Sequence, residues 1–209
     1  MKPFKFFIWL SALAMVMTSC SNPEQHGAKN TKITDENAAN EGLEEDFVWQ
    51  TEQFADLKII RYKVPGYDRL SPKQKELTYY LTQAGLAGRD IMYDQNYRHN
   101  LEIRDMLEKI YTNYNGDKTI SDWNNFEIYL KRIWFSNGIH HHYSNNKFEP
   151  EFSITYLKQL LNETGVDCRK EIMDVIFDPN IDAKKVNQDA SKGLVEGSAV
   201  NFYGPDVTT

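Results

Sequence analysis

Five segments with apolar residues three or four positions apart constrain this chain more than any other feature. The first begins with Ser71, Pro72 and Gln74, which form a capping box with proline at the first helical position. The others lie at about residues 96–114, after residue 121, after residue 150 and in CRKEIMDVIF. Their stop signals are Asn115-Gly116, Asn137-Gly138, Gly165 and Pro179. The pattern predicts five helices.

Two shorter segments predict strands, and one predicts a further helix. FADLKIIRYKV carries β-branched and aromatic residues and ends at Pro65-Gly66, so we expect a strand at Leu57–Val64. GSAVNFYG predicts a second strand, and DAKKVNQDASKG predicts a short sixth helix. Together these elements indicate an α+β fold that is predominantly helical. The chain has no internal repeat of roughly 20–50 residues, which disfavours a solenoid.

The first predicted helix carries two glycines on one side. Leu77, Leu81 and Ile91 follow its apolar period, and Gly85 and Gly88 lie three positions apart within it. Glycine lowers helix stability by about 1 kcal/mol relative to alanine. We therefore expect another backbone or a ligand to approach this side closely, and we favour tight helix packing.

The N-terminal residues predict export. Lys2 and Lys5 precede an apolar run that is too short for a comfortable membrane span, and the segment ends in Met17-Thr18-Ser19-Cys20. This ending resembles a bacterial lipobox, with methionine where leucine is usual. We expect acylation of Cys20 and a membrane-anchored lipoprotein. An ordinary cleaved signal, with a chance cysteine and a periplasmic product, is the alternative.

Composition divides the chain into three parts. Residues 1–19 form the predicted signal peptide, residues 20–45 are polar and predict a flexible tether, and residues 46–209 are expected to fold. The net charge is -6, and removal of the signal peptide leaves 22 cations and 30 acids, or -8. This balance, with acids spread along the chain, argues against nucleic acid and against anionic lipid as partners.

Three consecutive histidines, His140 to His142, lie in the segment NGIHHHYSNNKFEP. On a strand the first and third would share a face, but a zinc site needs three or four donors. No Cys or Asp lies within a few residues to complete such a set. Because the segment follows a helix stop and contains asparagines, we favour a polar loop that faces solvent or a cleft.

The sequence contains no complete catalytic set. It has no HExxH, no glycine-rich phosphate loop, no GxSxG and no CxxC pair. With Cys20 acylated, Cys168 has no disulfide partner, so a packed thiol is favoured over a nucleophile. The pair Tyr79-Tyr80 is expected in a core rather than in a groove. We predict no catalytic and no metal-binding residue in this chain.

The histidine segment resembles a motif of the dipeptidyl-peptidase III family, written roughly N-x-G-N-Y-x-S-F-G-D-x-K-F-x-P. Gly138, Lys147, Phe148 and Pro150 match it in register. LTYYLTQAGLAGRDIMYDQN resembles the family helix that carries a Trp-Tyr-Gly-Gly run, and GSAVNFYGPDVTT resembles a later strand with a T-T-Y-F-S-G pattern. The likeness covers about residues 50–209, and an exported bacterial version of the family fits best.

The resemblance implies a two-lobed zinc exopeptidase that removes dipeptides from the N-termini of oligopeptides. The family's HExxGH helix and later zinc-binding glutamate do not occur in this sequence, so the chain would form an incomplete part of the lobe opposite the zinc lobe. We expect these 209 residues to be inactive alone. The resemblance also implies substrate contact by Tyr143, at the aromatic position of the family loop, and by His142, where the family has serine.

Two other interpretations remain open. The chain is also compatible with a complete surface lipoprotein that binds peptides or another ligand without catalysis. A metal-storage loop at His140 to His142 is a weaker hypothesis. Under the peptidase interpretation, the expected partners are oligopeptides and a membrane reached through Cys20. Zinc is then a cofactor of the complete enzyme only.

Overall fold

Six α-helices, one short 3-10 helix (Tyr67–Arg69) and one two-stranded sheet form the regular structure of the computed structural model, which describes residues 47–201. The strands are β1 (Gln50–Phe54) and β2 (Leu57–Ile60), and the helices are α1 (Pro72–Ala87), α2 (Arg89–Asn96), α3 (Asn100–Asn113), α4 (Ser121–Ser136), α5 (Ile154–Thr164) and α6 (Lys170–Phe177). About half of the described residues are helical, which confirms the predominantly helical α+β class. The expected signal peptide, tether and acylated Cys20 lie outside these residues. Within them, no helix combines the length and apolar character needed to cross a bilayer.

β1 and β2 form an antiparallel hairpin. Phe54 pairs with Leu57, and Ala55 between them adopts a left-handed backbone conformation with φ 47°. The strand expected at Leu57–Val64 is confirmed as far as Ile60. β1 was not predicted, because QTEQF lacks the alternation of apolar and polar residues that signals a strand.

The first predicted helix is divided at Gly88. α1 begins as expected: the Ser71 hydroxyl accepts from the Gln74 N–H at 3.4 Å, and the Gln74 side chain accepts from the Ser71 N–H at 2.8 Å. Gly88 ends α1 with φ -84° and ψ -3°, and its N–H donates to the Ala84 carbonyl at 3.1 Å. Ile91 therefore belongs to α2.

α1 buries none of its residues within the described part of the chain. Leu77 and Tyr79 are each 58% exposed, and Tyr80 is 61% exposed. A Cβ placed at Gly85 meets no heavy atom within 4 Å, and one placed at Gly88 meets only atoms of nearby turns. For residues 47–201, the expected close packing at the glycines and the expected burial of the tyrosine pair are therefore wrong, because α1 lies on the outside.

The core lies among α3, α4, α5 and α6. α3 is central, since it packs against α2, α4 and α5. The four helices contribute side chains that are at most 2% exposed: Ile103, Leu107, Ile110, Trp123, Phe126, Leu130, Ile133, Leu157, Leu160, Ile172, Val175 and Ile176. Truncation of such a side chain typically costs about 2–5 kcal/mol. The apolar faces predicted for these helices are largely confirmed, although Trp134 and Ile154 remain more than a third exposed.

The described part of segment 182–209 contains neither the expected sixth helix nor the expected strand. Residues 183–185 of this segment instead run beside residues 145–147. The Lys147 N–H donates to the Ala183 carbonyl at 3.0 Å, and the Lys185 N–H donates to the Asn145 carbonyl at 2.8 Å. A backbone group that bonds to a distant segment cannot also form a hydrogen bond within a local helix. These long-range bonds therefore exclude the expected helix.

Candidate functional site

The loop at residues 137–150, called the site loop below, begins where α4 ends. Asn137 ends the helix in the left-handed conformation with φ 52°, and Gly138 follows with φ 142°. Asn100, the buried first residue of α3, holds this turn. Its Oδ1 accepts from the Ile139 N–H at 3.0 Å, and its Nδ2 donates to a carbonyl of α2 at 3.0 Å. The start of the site loop is thereby joined to α2 and α3.

His140 is buried, contrary to the expectation that the histidines face solvent or a cleft. It is 2% exposed, and its Nε2 lies 2.7 Å from the Asp182 carbonyl oxygen. Its ring meets the Tyr97 ring edge-on at 5.4 Å. Burial lowers the pKa of His140 from 6.5 to about 4, and nearby Lys147 acts in the same direction. His140 is therefore neutral at pH 7 and supports the fold.

Lys147 and Phe148, two positions of the family motif, are also buried. The Lys147 Nζ donates to the carbonyls of Val175 at 2.8 Å, Asp178 at 2.5 Å and Ile181 at 2.5 Å. Burial lowers the pKa of Lys147. A cation at this point complements the negative end of the α6 dipole. Lys147 therefore attaches the end of the site loop to the C-terminal end of α6.

His141 closes the tip of the site loop. Its Nδ1 accepts from the backbone N–H groups of Tyr143 at 3.2 Å and Ser144 at 3.1 Å. In the neutral ring the proton must then lie on Nε2. The His141 N–H donates to the Asn146 carbonyl at 2.8 Å. The predicted loop is confirmed, and the three histidines do not line a strand.

Tyr143 and His142, the two residues expected to contact substrate, lie together at this tip. Tyr143 is 83% exposed, and its ring centroid lies 4.3 Å from that of His142. His142 stacks on His141 at 4.5 Å and meets Phe135 of α4 edge-on at 5.1 Å. Its Nδ1 lies 3.3 Å from the Ser136 hydroxyl. The helix therefore fixes His142, and Tyr143 extends from it into solvent.

The charges around His142 favour its neutral form. Burial lowers its pKa, and His141 and Lys185 act in the same direction, while Asp56 opposes them. A neutral imidazole has one hydrogen-bond donor and one acceptor. Tyr143 adds a flat apolar face and a hydroxyl. Together the two side chains suit the binding of a peptide side chain with a neighbouring polar group.

A polar network behind the site loop was not predicted from the sequence. The Tyr97 hydroxyl donates to Asp182 Oδ2 at 2.5 Å, and Arg98 Nη2 lies 3.2 Å from the same oxygen. Burial, followed by the bond to Asp182, raises the pKa of Tyr97 well above its ordinary value. Tyr97 and Asp182 are 85 positions apart. A local sequence pattern carries no signal for such a pair.

A cleft of about 490 Å³ lies beside the second arm of the site loop. Its lining combines cations, acids and an aromatic ring: Arg132, Lys184, Glu149, Glu151 and Phe148. Such mixed charge suits a polar chain with charges of both signs, such as a peptide. Tyr143 and His142 do not line this cleft, so the structure separates them from it.

The residues that the structure describes bring no three His, Cys, Asp or Glu side chains together as a metal site. Cys168 is partly buried, and burial, followed by the nearby Glu102 charge, raises the pKa of its thiol. A raised pKa keeps the thiol protonated and weakly nucleophilic. Residues 47–201 therefore present neither a set of side chains that fits a zinc ion nor an activated thiol.

The chain matches no protein-family model and none of the curated proteins with which it was compared. The resemblance to the dipeptidyl-peptidase III family therefore stays a prediction that rests on the motif residues given above. The functional proposal depends on the geometry of the site loop.

Proposed function

We propose that the chain supplies the N-terminal portion of an exported zinc-dependent dipeptidyl peptidase similar to the dipeptidyl-peptidase III family. In this proposal residues 46–209 belong to the lobe opposite the zinc lobe, and Cys20 carries a lipid anchor. The site loop contacts oligopeptide substrates through Tyr143 and His142. The observation that carries the proposal is the 83% exposed Tyr143 ring at the tip of a loop that is fixed at both ends.

Three of the four positions that match the family motif hold the site loop. Gly138 supplies the backbone conformation at its start, Lys147 attaches its end to α6, and Phe148 packs into the core. Tyr143 and His142 lie at the tip instead. This division supports the proposal, because a loop with fixed ends presents its tip in one geometry.

A fixed tip favours binding on entropic grounds. Ordering a side chain on binding costs about 0.5–1.5 kcal/mol, and a preorganised site avoids much of that cost. The hydrogen bonds of His141 already close the turn, and the edge-on contact with Phe135 already restrains His142. A peptide would therefore mainly have to order the exposed ring of Tyr143.

Zinc enters this proposal only as a cofactor of the complete enzyme. The sequence lacks the HExxGH helix of the family, and residues 47–201 hold no donor set that fits the metal. The proposal assigns this chain to substrate binding. We expect the 209 residues alone to cleave no dipeptidyl substrate, and chelator-sensitive cleavage by the purified chain would contradict this expectation.

Peptide binding to the purified chain tests the role of the tip. In calorimetric titration with a tetrapeptide, Tyr143→Ala should weaken binding about fivefold to tenfold, because an aromatic contact contributes about 0.5–1.5 kcal/mol beyond its buried area. Tyr143→Phe should keep most of the affinity. Tyr79→Ala is the matched control, since Tyr79 is 58% exposed on α1. Equal affinities of the wild type and Tyr143→Ala would remove this support. In the complete enzyme, Tyr143→Ala should raise KM more than it lowers kcat.

A complete surface lipoprotein that binds peptide or another ligand without catalysis is the second candidate. The same exposed pair, Tyr143 and His142, supports it, because binding at this tip requires no metal. The downstream reading frame distinguishes the two. Continuation into an HExxGH helix supports the peptidase, and a stop codon directly after Thr209 supports the binding protein.

A further inference from the structure

Cations are concentrated in one exposed segment of an otherwise acidic chain. Leu57–Lys75 contains six cationic residues and one acid, so six minus one gives a net charge of +5. Because the whole chain carries -6, all other residues together carry -11. The six cations are Lys58, Arg61, Lys63, Arg69, Lys73 and Lys75, and all except Lys75 are exposed. The overall acidic balance, which argued against anionic lipid, conceals this segment.

Aromatic and apolar side chains accompany these cations at the surface. Tyr62 is 79% exposed, Val64 is 70% exposed and Tyr67 is 41% exposed. The Lys75 ammonium lies 5.5 Å from the centroid of the Tyr67 ring and donates to the Asp68 carbonyl at 3.3 Å, which joins the start of α1 to the preceding turn. Tyrosine beside lysine is typical of surfaces that lie at lipid headgroups.

α1 extends this surface with further apolar side chains. Leu77, Tyr80 and Leu81 are each more than half exposed. Tyr80 and Leu81 lie three and four positions after Leu77, so the three side chains share one face of α1, and an exposed apolar face is typical of an interaction site. A helix with lysines in its first turn and exposed leucine and tyrosine beyond them has the composition of an interfacial helix.

We propose that residues 57–81, called the basic aromatic surface, in which six cations outnumber the two acids Asp68 and Glu76, dock onto an anionic phospholipid bilayer. Each Lys or Arg close to such a bilayer strengthens binding about fivefold. Lipid fits better than nucleic acid, because the exposed tyrosine and leucine side chains can enter the headgroup region while the acidic remainder of the chain repels a polyphosphate. The inference goes beyond the proposed function. An acylated Cys20 would bring a bilayer near, but docking requires neither acylation nor peptidase activity.

A probe on the full chain tests the docking. Val64→Cys is labelled with a fluorophore in a Cys20→Ser, Cys168→Ser background. The protein is mixed with vesicles of phosphatidylcholine alone or with roughly one third phosphatidylglycerol, both containing a doxyl-labelled quencher lipid. We expect quenching on the anionic vesicles, weak quenching on the neutral ones, and loss of the difference at high salt. Because the N-terminal leader also carries the cations Lys2 and Lys5, the charge variants decide whether the difference arises at the basic aromatic surface.

Charge variants show whether the cations cause the docking. Neutralisation of three cations in Lys58→Gln, Arg69→Gln and Lys73→Gln should lower the ratio of docked to undocked protein about 100-fold. Circular dichroism verifies that the variant is folded.

The matched control removes three exposed cations elsewhere. Lys109→Gln, Lys158→Gln and Lys192→Gln change the net charge by the same amount and should leave the quenching unchanged.

Four results of the vesicle and variant experiments would overturn the inference. The first two are equal quenching on neutral and anionic vesicles, and no quenching on either. The third is an equal loss of quenching in both triple variants. The fourth is burial of the probe in the absence of vesicles that increases with protein concentration. The last result would assign the surface to a second copy of the chain. Binding of a labelled oligonucleotide that depends on the same three cations, without lipid quenching, would assign it to nucleic acid and equally overturn the inference.

Discussion

Gly138 and Asn100 are packed so closely that a Cβ on Gly138 would collide with the Asn100 side-chain amide. The same amide accepts from the Ile139 N–H and so fixes the start of the site loop. Gly138 also has φ 142°, a conformation that other residues rarely adopt. Two independent structural features thus require glycine at position 138, which is a position of the family motif.

Gly138→Ala should destabilise the protein by about 2–3 kcal/mol, because the backbone conformation and the collision both oppose a side chain. Urea unfolding followed by circular dichroism measures this change. Gly85→Ala is the matched control. Gly85 lies inside α1 with no atom within 4 Å of the added Cβ, so this variant should gain up to about 1 kcal/mol. Equal effects of the two substitutions would refute the packing argument.

The stability of the protein should fall as the pH is lowered from about 6.5 to 4. Folding lowers the pKa of His140 from 6.5 to about 4 because the ring is buried. In this window the unfolded chain binds a proton that the folded chain excludes. The contribution is therefore complete above pH 6.5 and is lost as the pH falls, and it amounts to about 3 kcal/mol. The charged groups that face the ring are Lys147, Lys185 and Asp182.

The variant His140→Phe isolates this contribution. It should be less stable than the wild type at pH 7, because the bond to the Asp182 carbonyl is lost, but its unfolding free energy should change less between pH 6.5 and 4. His142→Asn is the comparison, because burial also lowers the pKa of His142, and it should reduce the slope less than His140→Phe does. Identical slopes for the wild type and His140→Phe would show that another group is responsible.

Lys147→Met should cost about 2–4 kcal/mol, because the carbonyls of Val175, Asp178 and Ile181 lose their shared charged donor. Urea unfolding at pH 7 measures the loss. Lys158→Met, at an exposed position of α5, should lie within about 0.5 kcal/mol of the wild type. A Lys147→Met protein as stable as this control would mean that the three bonds contribute nothing net.

Tyr97 and Asp182 should be energetically coupled. Tyr97→Phe removes the hydroxyl that donates to the carboxylate, at a cost of about 1.5–3 kcal/mol for a bond to a charged acceptor. A double-mutant cycle with Asp182→Asn should give a coupling energy of at least about 1 kcal/mol. Additive effects would indicate that the bond does not stabilise the fold.

Local signals in the sequence predicted the local structure well. Ser71 and Gln74 form the expected capping box, and Asn137 and Gly165 end α4 and α5 in the left-handed conformation. These features depend on a few neighbouring residues, so spacing and residue type suffice. Substrate contact by Tyr143 and His142 was expected from the family resemblance alone and stays a prediction.

Long-range packing decided the features that the sequence did not predict. His140 is buried because Asp182 and Tyr97 cover it, and both are distant in sequence. Residues 183–185 extend beside the site loop because their backbone bonds to residues 145–147, and residues 199–200 bond in turn to 184–185. The apolar period of α1 predicted a helix correctly, but a period does not reveal whether a partner surface covers the apolar side.

The three bonds of Lys147 also determine how the site loop can move. Its ammonium holds carbonyls at the end of α6 and in the turn after it, so a hinge motion at this arm must break all three contacts together. The loop and the last turn of α6 should consequently shift as one rigid body. The tip would then select ligands by the conformation that the site loop already has before binding. Only the Tyr143 rotamer would adapt to the ligand.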